Sequence, residues 1–287
     1  MSRSIKGKIR INSFADLVGG DDAAVTEVPL ADLHEFKGHP FRVLDDEKMD
    51  ETVESIKRHG VLTPGIVRPR AEGGYEIIAG HRRRRACEIA GLETMPVLIK
   101  KYTDEEATVT MVDTNIQRED ILPSEKARAY RMKFEAMKHQ GIAGGSTFES
   151  IGESAGESGK TVQRFIRLSR LSETLLRLVD EKKLPIRSGV ELSYLTAKEQ
   201  RMVEETVNAT GAAISPAQAG KIRGYSKDRE LTKALLTEML TEKRPKSRKV
   251  TIKGERLLKY FPDEMSAEEI EDKIIRILEE WKDKGGQ

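Results

Sequence analysis

Between positions 46 and 59 apolar side chains return at helical spacing, at Met49, Val53 and Ile56, and Gly60 follows as a left-handed stop, so this stretch reads as an amphipathic helix. The next apolar runs have a shorter period. Ile66-Val67 and Tyr75-Glu76-Ile77-Ile78 are β-rich and flank Glu72-Gly73-Gly74, the pattern of a hairpin. A helix is expected over residues 81–90, closed by Gly91, with a buried strand at Pro96-Val97-Leu98-Ile99. Thr103 and Glu106 then form a capping box for a helix reaching about Thr114. From Leu122 onward strand signals vanish through the middle of the chain, while Ser/Thr-x-x-Glu boxes recur at Ser146/Glu149 and Thr196/Glu199. A small α+β unit is thus followed by an all-helical stretch. The charged run Glu242-Lys243-Arg244-Pro245-Lys246-Ser247-Arg248-Lys249 separates that stretch from a last module with a short strand, Val250-Thr251-Ile252, and a helix opened by Ser266 and Glu269. The first 22 residues carry no apolar period long enough to bury and read as a flexible basic tail.

Composition narrows the chemistry. With 34% charged and 37% hydrophobic residues among 287, the chain is expected to fold in water around modest cores. No run approaches the roughly 20 apolar residues of a spanning helix, and Arg3, Lys6, Lys8 and Arg10 precede no secretory-type apolar stretch, so a cytoplasmic protein without membrane contact is expected. The single cysteine, Cys87, allows no intramolecular disulfide and no thiolate zinc cluster, and is expected to be a small buried residue. His34, His39, His59, His81 and His139 show no spacing that aims two imidazoles at one metal. The net charge is only +2, so affinity for nucleic acid has to come from local clusters.

Two such clusters stand out. Ile77-Ile78-Ala79-Gly80-His81-Arg82-Arg83-Arg84-Arg85-Ala86 is a strand turning at a glycine into an arginine-rich helix. Free N–H groups and the dipole at a helix start favour an anion, arginines add charge-assisted donors, and phosphate is the natural ligand. Four consecutive arginines wrap most of the way round a helix, so Arg82 and Arg83 are expected at the ligand and Arg84 and Arg85 partly in solvent. The second cluster lies in residues 146–171. Phe148 and Ile151 mark a short helix, Ala155-Gly156 a turn, and Ser158 opens a second helix with Val162, Phe165 and Ile166 on one face. Lys160, Gln163, Arg164 and Arg167 are left on the other face, with Thr161 beside them, as in a recognition helix laid in a DNA groove. Arg and Gln carry the bidentate groups that read guanine and adenine edges, whereas Lys160 near the helix start suits a phosphate.

Over residues 25–200 the chain resembles the ParB family of chromosome and plasmid partition proteins. The resemblance is carried by Pro40-Phe41-Arg42, Ser55-Ile56-Lys57-Arg58-His59-Gly60-Val61-Leu62-Thr63-Pro64, Ala79-Gly80-His81-Arg82-Arg83-Arg84-Arg85-Ala86 and Asn115-Ile116-Gln117-Arg118-Glu119-Asp120, in the family's order, with a helix-turn-helix where the family has one. It implies a CTP pocket in which Thr63, Pro64, Gly65 and the segment to Arg68 face the base, Gly80, His81, Arg82 and Arg83 hold the phosphates, Asn115 helps place Mg²⁺, and Arg118 belongs to the same motif. Two family glutamates are replaced, by His81 and by Thr114, so nucleotide binding is expected to outlast efficient hydrolysis, with Asp113 a substitute carboxylate.

The last module carries Ile270, Ile274, Ile277 and Trp281 at i, i+4, i+7 and i+11, too much apolar surface for so short a segment to bury alone. A homodimer is the first expectation, since an inverted-repeat DNA site asks for two-fold symmetry. The alternative is docking on the chain's own helical middle. The expected organisation is a tail at 1–22, a ParB-like α+β nucleotide-binding domain at 23–120, an all-α helix-turn-helix domain at 121–240, and a linker with a small C-terminal α/β dimerisation module at 241–287. The function implied is a nucleoid-associated, CTP-responsive partition protein that binds a double-stranded inverted-repeat site and works with a ParA-type ATPase through its basic tail. A repressor or nucleoid-occlusion factor on the same scaffold is the alternative, and genomic neighbourhood would separate the two.

Overall fold

Adjacent residues of one strand decide how the sheet is buried. Ile66 and Val67, and likewise Ile77 and Ile78, are all fully buried, so both faces of the sheet are covered. The computed structural model describes residues 24–118, 120–140, 145–241, 257, 259–262 and 265–283. Five strands, β1 (Val25–Pro29), β2 (Leu33–His34), β3 (Gly65–Pro69), β4 (Tyr75–Ala79) and β5 (Thr94–Ile99), form one sheet in the order β1-β5-β3-β4-β2. The hairpin β3-β4 is antiparallel with a register shift at Ile66/Val67, β3 runs parallel to β5, and β1 closes one edge antiparallel to β5.

On one face Val67, Ile77, Met95 and Val97 pack against Met49, Val53 and Ile56 of α1 (Glu47–His59) and Ala86 and Cys87 of α2 (His81–Ala90). Cys87 is a buried free thiol, as expected. On the other face Ile66 and Ile78 meet Ala107, Met111 and Val112 of α3 (Asp104–Asn115) and Tyr130 of α4 (Pro123–His139). The Thr103/Glu106 capping box of α3 is present in both directions, at 3.0 and 3.2 Å.

The same second core continues into Ile151 of α5 (Gly145–Ala155) and Val162 of α6 (Gly159–Leu168). A further all-helical core joins Leu168 to α7 (Glu173–Asp180), α8 (Ile186–Leu192), α9 (Ala197–Thr210), α10 (Pro216–Lys227) and α11 (Lys233–Thr241), through Leu176, Leu192, Val203, Ile222 and Leu236. The chain divides into two units, residues 1–241 and 242–287. In the second, α12 (Ala267–Asp283) opens on the Ser266/Glu269 box, at 2.9 and 3.3 Å, and more than half of the surface of Ile277 and of Trp281 is exposed. The basic tail at 1–22 and the strand expected at Val250-Thr251-Ile252 lie outside the described residues. No helix among the described residues is long and apolar enough to cross a membrane.

Candidate functional site

The turn from β4 into α2 is built around Gly80. Its φ of +116° and ψ of +16° suit glycine, and a Cβ there would sit 3.2 Å from Gly65 Cα. No side chain caps α2, so the N–H groups of its first turn keep their affinity for an anion. Arg83 folds back over the turn and donates from Nη1 to the carbonyls of Thr63 (2.5 Å) and Pro64 (2.6 Å). No carboxylate pairs with it among the described residues, and burial pulls its pKa below the ordinary arginine value. Thr63, Pro64, Gly65, Gly80 and Arg83 are thus brought together at one turn. A cleft of about 330 Å³ opens beside them, lined by Ile56, Gly60, Val61, Leu62, Thr63 and Arg83 among others.

Arg82 differs from expectation, being bonded to Asp46 Oδ1 (3.0 Å), whereas Arg84, paired with Glu88 (2.9 Å), is half-buried and Arg85, paired with Asp45 (2.6 Å), is exposed, so those two stand partly in solvent. The cause is the loop before α1, which brings Asp45 and Asp46 to the turn from 36 to 40 residues away. Hydrogen bonds from these arginines hold both carboxyls below their usual range. His81 stacks on His39 with ring centroids 3.9 Å apart, and His39 Nδ1 lies 2.7 Å from the Phe41 carbonyl. Burial, then the neighbouring His39 and Arg84, lowers His81 to about 3, so a neutral imidazole stands where the family resemblance places a glutamate. His39 was given no role by its sequence context. Arg118 sits close enough to add its charge to the lowering of the His39 pKa.

Asn115 closes α3, where its Nδ2 donates to the Met111 carbonyl at 2.8 Å, which leaves its amide oxygen for another partner. Asp113 is not the spare carboxylate the sequence suggested. It is engaged by the buried Lys133 Nζ, and its own side chain is mostly covered. Arg68, placed by the resemblance near the base, is committed to Glu76 and Asp104, each at 2.6 Å. Among the described residues no group of three or more His, Cys, Asp or Glu forms a metal cluster. The donors present thus suit a polyphosphate. For Mg²⁺, which favours carboxylates besides phosphate oxygens, the motif residue with an oxygen not engaged in a hydrogen bond among the described residues is Asn115.

The second cluster lies on α6. Ser158 caps it, accepting from Thr161 N at 3.2 Å, and Gly152 of α5 lets the chain return so tightly that a Cβ there would sit 2.3 Å from the Glu157 carbonyl oxygen. Val162 and Leu168 are buried and Phe165 and Ile166 half-buried, while Lys160, Gln163 and Arg164 are exposed and Thr161 half-buried. Arg167, one turn further along the same face, is half-buried. Its guanidinium lies 3.7 Å from the centre of the Tyr194 ring.

Polar contacts bind the two clusters together. Lys133 Nζ bonds Ser154 Oγ at 2.7 Å as well as Asp113, and Gln117 Nε2 donates to the Ser154 carbonyl at 3.0 Å. Glu125, buried at the start of α4, accepts from Arg42 N and Nε and from Leu122 N, each at 3.0 Å. That is the role of Pro40-Phe41-Arg42 in this fold, with Phe41 in the shared core.

Residues 17–116 match the ParB N-terminal domain. A nucleoid occlusion protein of Halalkalibacterium halodurans is 34% identical over 190 residues, covering 66% of this chain and 64% of that protein. Stage 0 sporulation protein J of Bacillus subtilis is 32% identical over 204 residues, 69% of this chain and 70% of that protein. Among solved structures, C-terminally truncated chromosome-partitioning protein ParB of Caulobacter crescentus, complexed to the centromeric parS site, is 22% identical with a TM-score of 0.43, covering 71% of this chain and 99% of that one. With the glycine turn, the paired loop motifs and the capped helix pair in family order, and a relative at this identity matched over more than two thirds of its length, the chain belongs to the ParB family.

Proposed function

We propose that this protein is a CTP-responsive, sequence-specific DNA-binding dimer that marks a centromere-like inverted repeat for segregation on the nucleoid, in partnership with a ParA-type ATPase. One observation carries the reading. A single core holds Ile66 and Ile78 of the sheet that presents the glycine turn and Val162 of the helix that presents Lys160, Gln163 and Arg164. A polyphosphate at the turn and a duplex on the helix would therefore act on one packed body. Gly80 and the first turn of α2 supply the phosphate cradle, Arg83 fixes the Thr63-Pro64 wall, and Arg82 joins the ligand by leaving Asp46. CTP would bring Mg²⁺ with its phosphates, and the family resemblance assigns Asn115 to meet it. His81, kept neutral, and Thr114 add no carboxylate, so we assign binding with slow turnover. Dimerisation is assigned to α12, and contact with the ATPase to the basic tail.

Titrating the four nucleoside triphosphates, with and without an inverted-repeat duplex selected from random sequence, tests pocket, ligand and coupling together. The expected result is CTP-selective binding that Arg82→Ala abolishes, with hydrolysis faster in a His81→Glu, Thr114→Glu double variant. Absence of CTP binding with Mg²⁺ and duplex present overturns the nucleotide reading. The relatives include a nucleoid occlusion protein, which favours a second outcome of the same binding act, occlusion rather than partition. Loss of replicon inheritance on deletion, with division placement intact, decides for partition.

A further inference from the structure

Arg167 of α6 and Arg223 of α10 both lie on Tyr194, at 3.7 and 3.6 Å from the ring centre. Two guanidinium groups that close to one ring centre cannot share a face, so they sandwich the ring from opposite sides. Arg223 is steadied further by Glu191, at 2.9 Å. Arg167 has no such partner. Its Nε is buried without a hydrogen bond, it makes no ion pair among the described residues, and desolvation together with the like charges of Arg170 and Arg223 makes its own charge harder to keep. A cation held unpaired among like charges is costly unless an anion completes the arrangement. Tyr194 as a whole residue is 45% exposed, so the sandwich lies at the surface.

Resting on the DNA-binding reading above, we propose that Tyr194 is a positioning residue whose two faces hold Arg167 and Arg223 for the sugar-phosphate backbone of the duplex, extending the interface from α6 to α10. Duplex phosphate is the occupant because Lys160, Gln163, Arg164 and Arg167 recur at i, i+3, i+4 and i+7 along one face of α6, so a duplex laid on that face covers the sandwich as well. Arg167 then fixes register and the exposed Gln163 and Arg164 are left to read bases. A planar ring suits the task because it orients two guanidinium planes while leaving their N–H edges for phosphate oxygens.

The test is anisotropy titration over a range of salt concentrations with two duplexes, one of mixed sequence and one inverted repeat selected from random sequence. Arg167→Gln and Tyr194→Ala should lower the slope of log affinity against log salt by roughly one on both duplexes, with binding about eightfold weaker at 0.1 M salt for each phosphate that is no longer neutralised. Arg223→Gln should act in the same direction, and Tyr194→Phe should retain parental slope and affinity because the ring faces survive. Gln163→Ala should weaken only the selected site. An unchanged slope for Arg167→Gln and Arg223→Gln overturns the proposal whatever becomes of Tyr194→Ala. So does a loss confined to the selected duplex, which would make Arg167 a base reader, or a Tyr194→Phe variant as weak as Tyr194→Ala, which would assign the effect to the phenol. A parent protein that binds neither duplex removes the DNA-binding reading and this inference with it, whereas binding with unchanged slopes removes the inference alone.

Discussion

The glycine turn and the α6 helix are both cationic, yet they hold their charge in opposite ways. At the turn, Arg82, Arg84 and Arg85 are each matched to a carboxylate and Arg83 to two carbonyls. On α6, Lys160 and Arg164 are exposed and make no ion pair among the described residues. The N–H groups that open α2 are free for an anion, but an arginine of the turn can join it only by leaving a partner already in place, which a ligand with several phosphates would do best. An anion on α6 displaces only water and counterions, which suits a polymer bound through many weak contacts. Selectivity at the first site and breadth at the second follow from the same residue type in different company.

The sharpest way to break this comparison is at the join between the two regions. Lys133 is buried and Asp113 mostly covered, with side-chain exposures of 4% and 12%, and Lys133 also bonds Ser154 of the helix pair. Lys133→Ala strands a mostly covered carboxylate and should cost about 3–5 kcal/mol in urea denaturation. Asp113→Asn in the same chain should restore part of it. A cost under 1 kcal/mol for Lys133→Ala would mean that water reaches Asp113 and that the two regions are not tied there.

Next in size is the exposed face itself. Arg164→Ala should cost about 1–3 kcal/mol on the selected duplex if Arg164 reads a base, and Arg85→Ala, on the paired side of the comparison, should leave duplex affinity as it was. Equal losses from the two substitutions would erase the distinction.

What the sequence revealed and what it hid divide along the same line. Gly60, Gly80 and Gly91 announced their helix boundaries because each sits at a backbone angle that side-chain-bearing residues avoid, a local property written in one position. Thr103/Glu106 and Val162/Phe165/Ile166 were legible for a similar reason, since capping and helical faces involve residues three or four apart. The company of the arginines was not legible. Asp46 lies 36 residues from Arg82, His39 is in the loop before α1 while His81 starts α2, and Tyr194 meets Arg167 only once the intervening helices have packed. Nothing in a local window ranks those partners above others. The short strands β1 and β2 were missed because their pairing with β5 and β4, not their own pattern, makes them strands.

The buried imidazoles give the turn a pH dependence that α6 lacks. His81 titrates near 6.5 in an unfolded chain and at about 3 here, so between those values the unfolded state binds the extra proton. The stability this represents is fully present above pH 6.5 and is lost as pH falls, at about 1.4 kcal/mol per pH unit for one such group, or roughly 1.4 kcal/mol by pH 5.5. His39, also lowered by burial, acts in the same sense. His81→Leu should flatten the stability curve between pH 7 and 5, a window above the titration of the carboxylates, as measured by denaturation at each pH. An unaltered slope would show that His81 is solvated.

The smallest expected effect is the most pointed test of the pre-engaged turn. Asp46 has two roles, capping α1 by accepting from Met49 N at 3.0 Å and holding Arg82 at 3.0 Å. Serine caps a helix about as well as aspartate but carries no charge, so Asp46→Ser separates the roles. With the carboxylate gone, Arg82 no longer has to leave a partner to meet a phosphate. An exposed ion pair is a weak competitor, so triphosphate affinity should rise only up to about fivefold, while thermal stability stays near that of the parent. Asp45→Ser removes the Asp45 partner of Arg85, which keeps Glu88 at 3.3 Å and lies a further turn along α2 from Gly80, and should leave triphosphate affinity unchanged. The pair of variants measures how much of the turn's restraint resides in Arg82 alone. Weaker binding in Asp46→Ser would reverse the argument, because it would make the carboxylate a support for the bound ligand rather than its rival for the guanidinium.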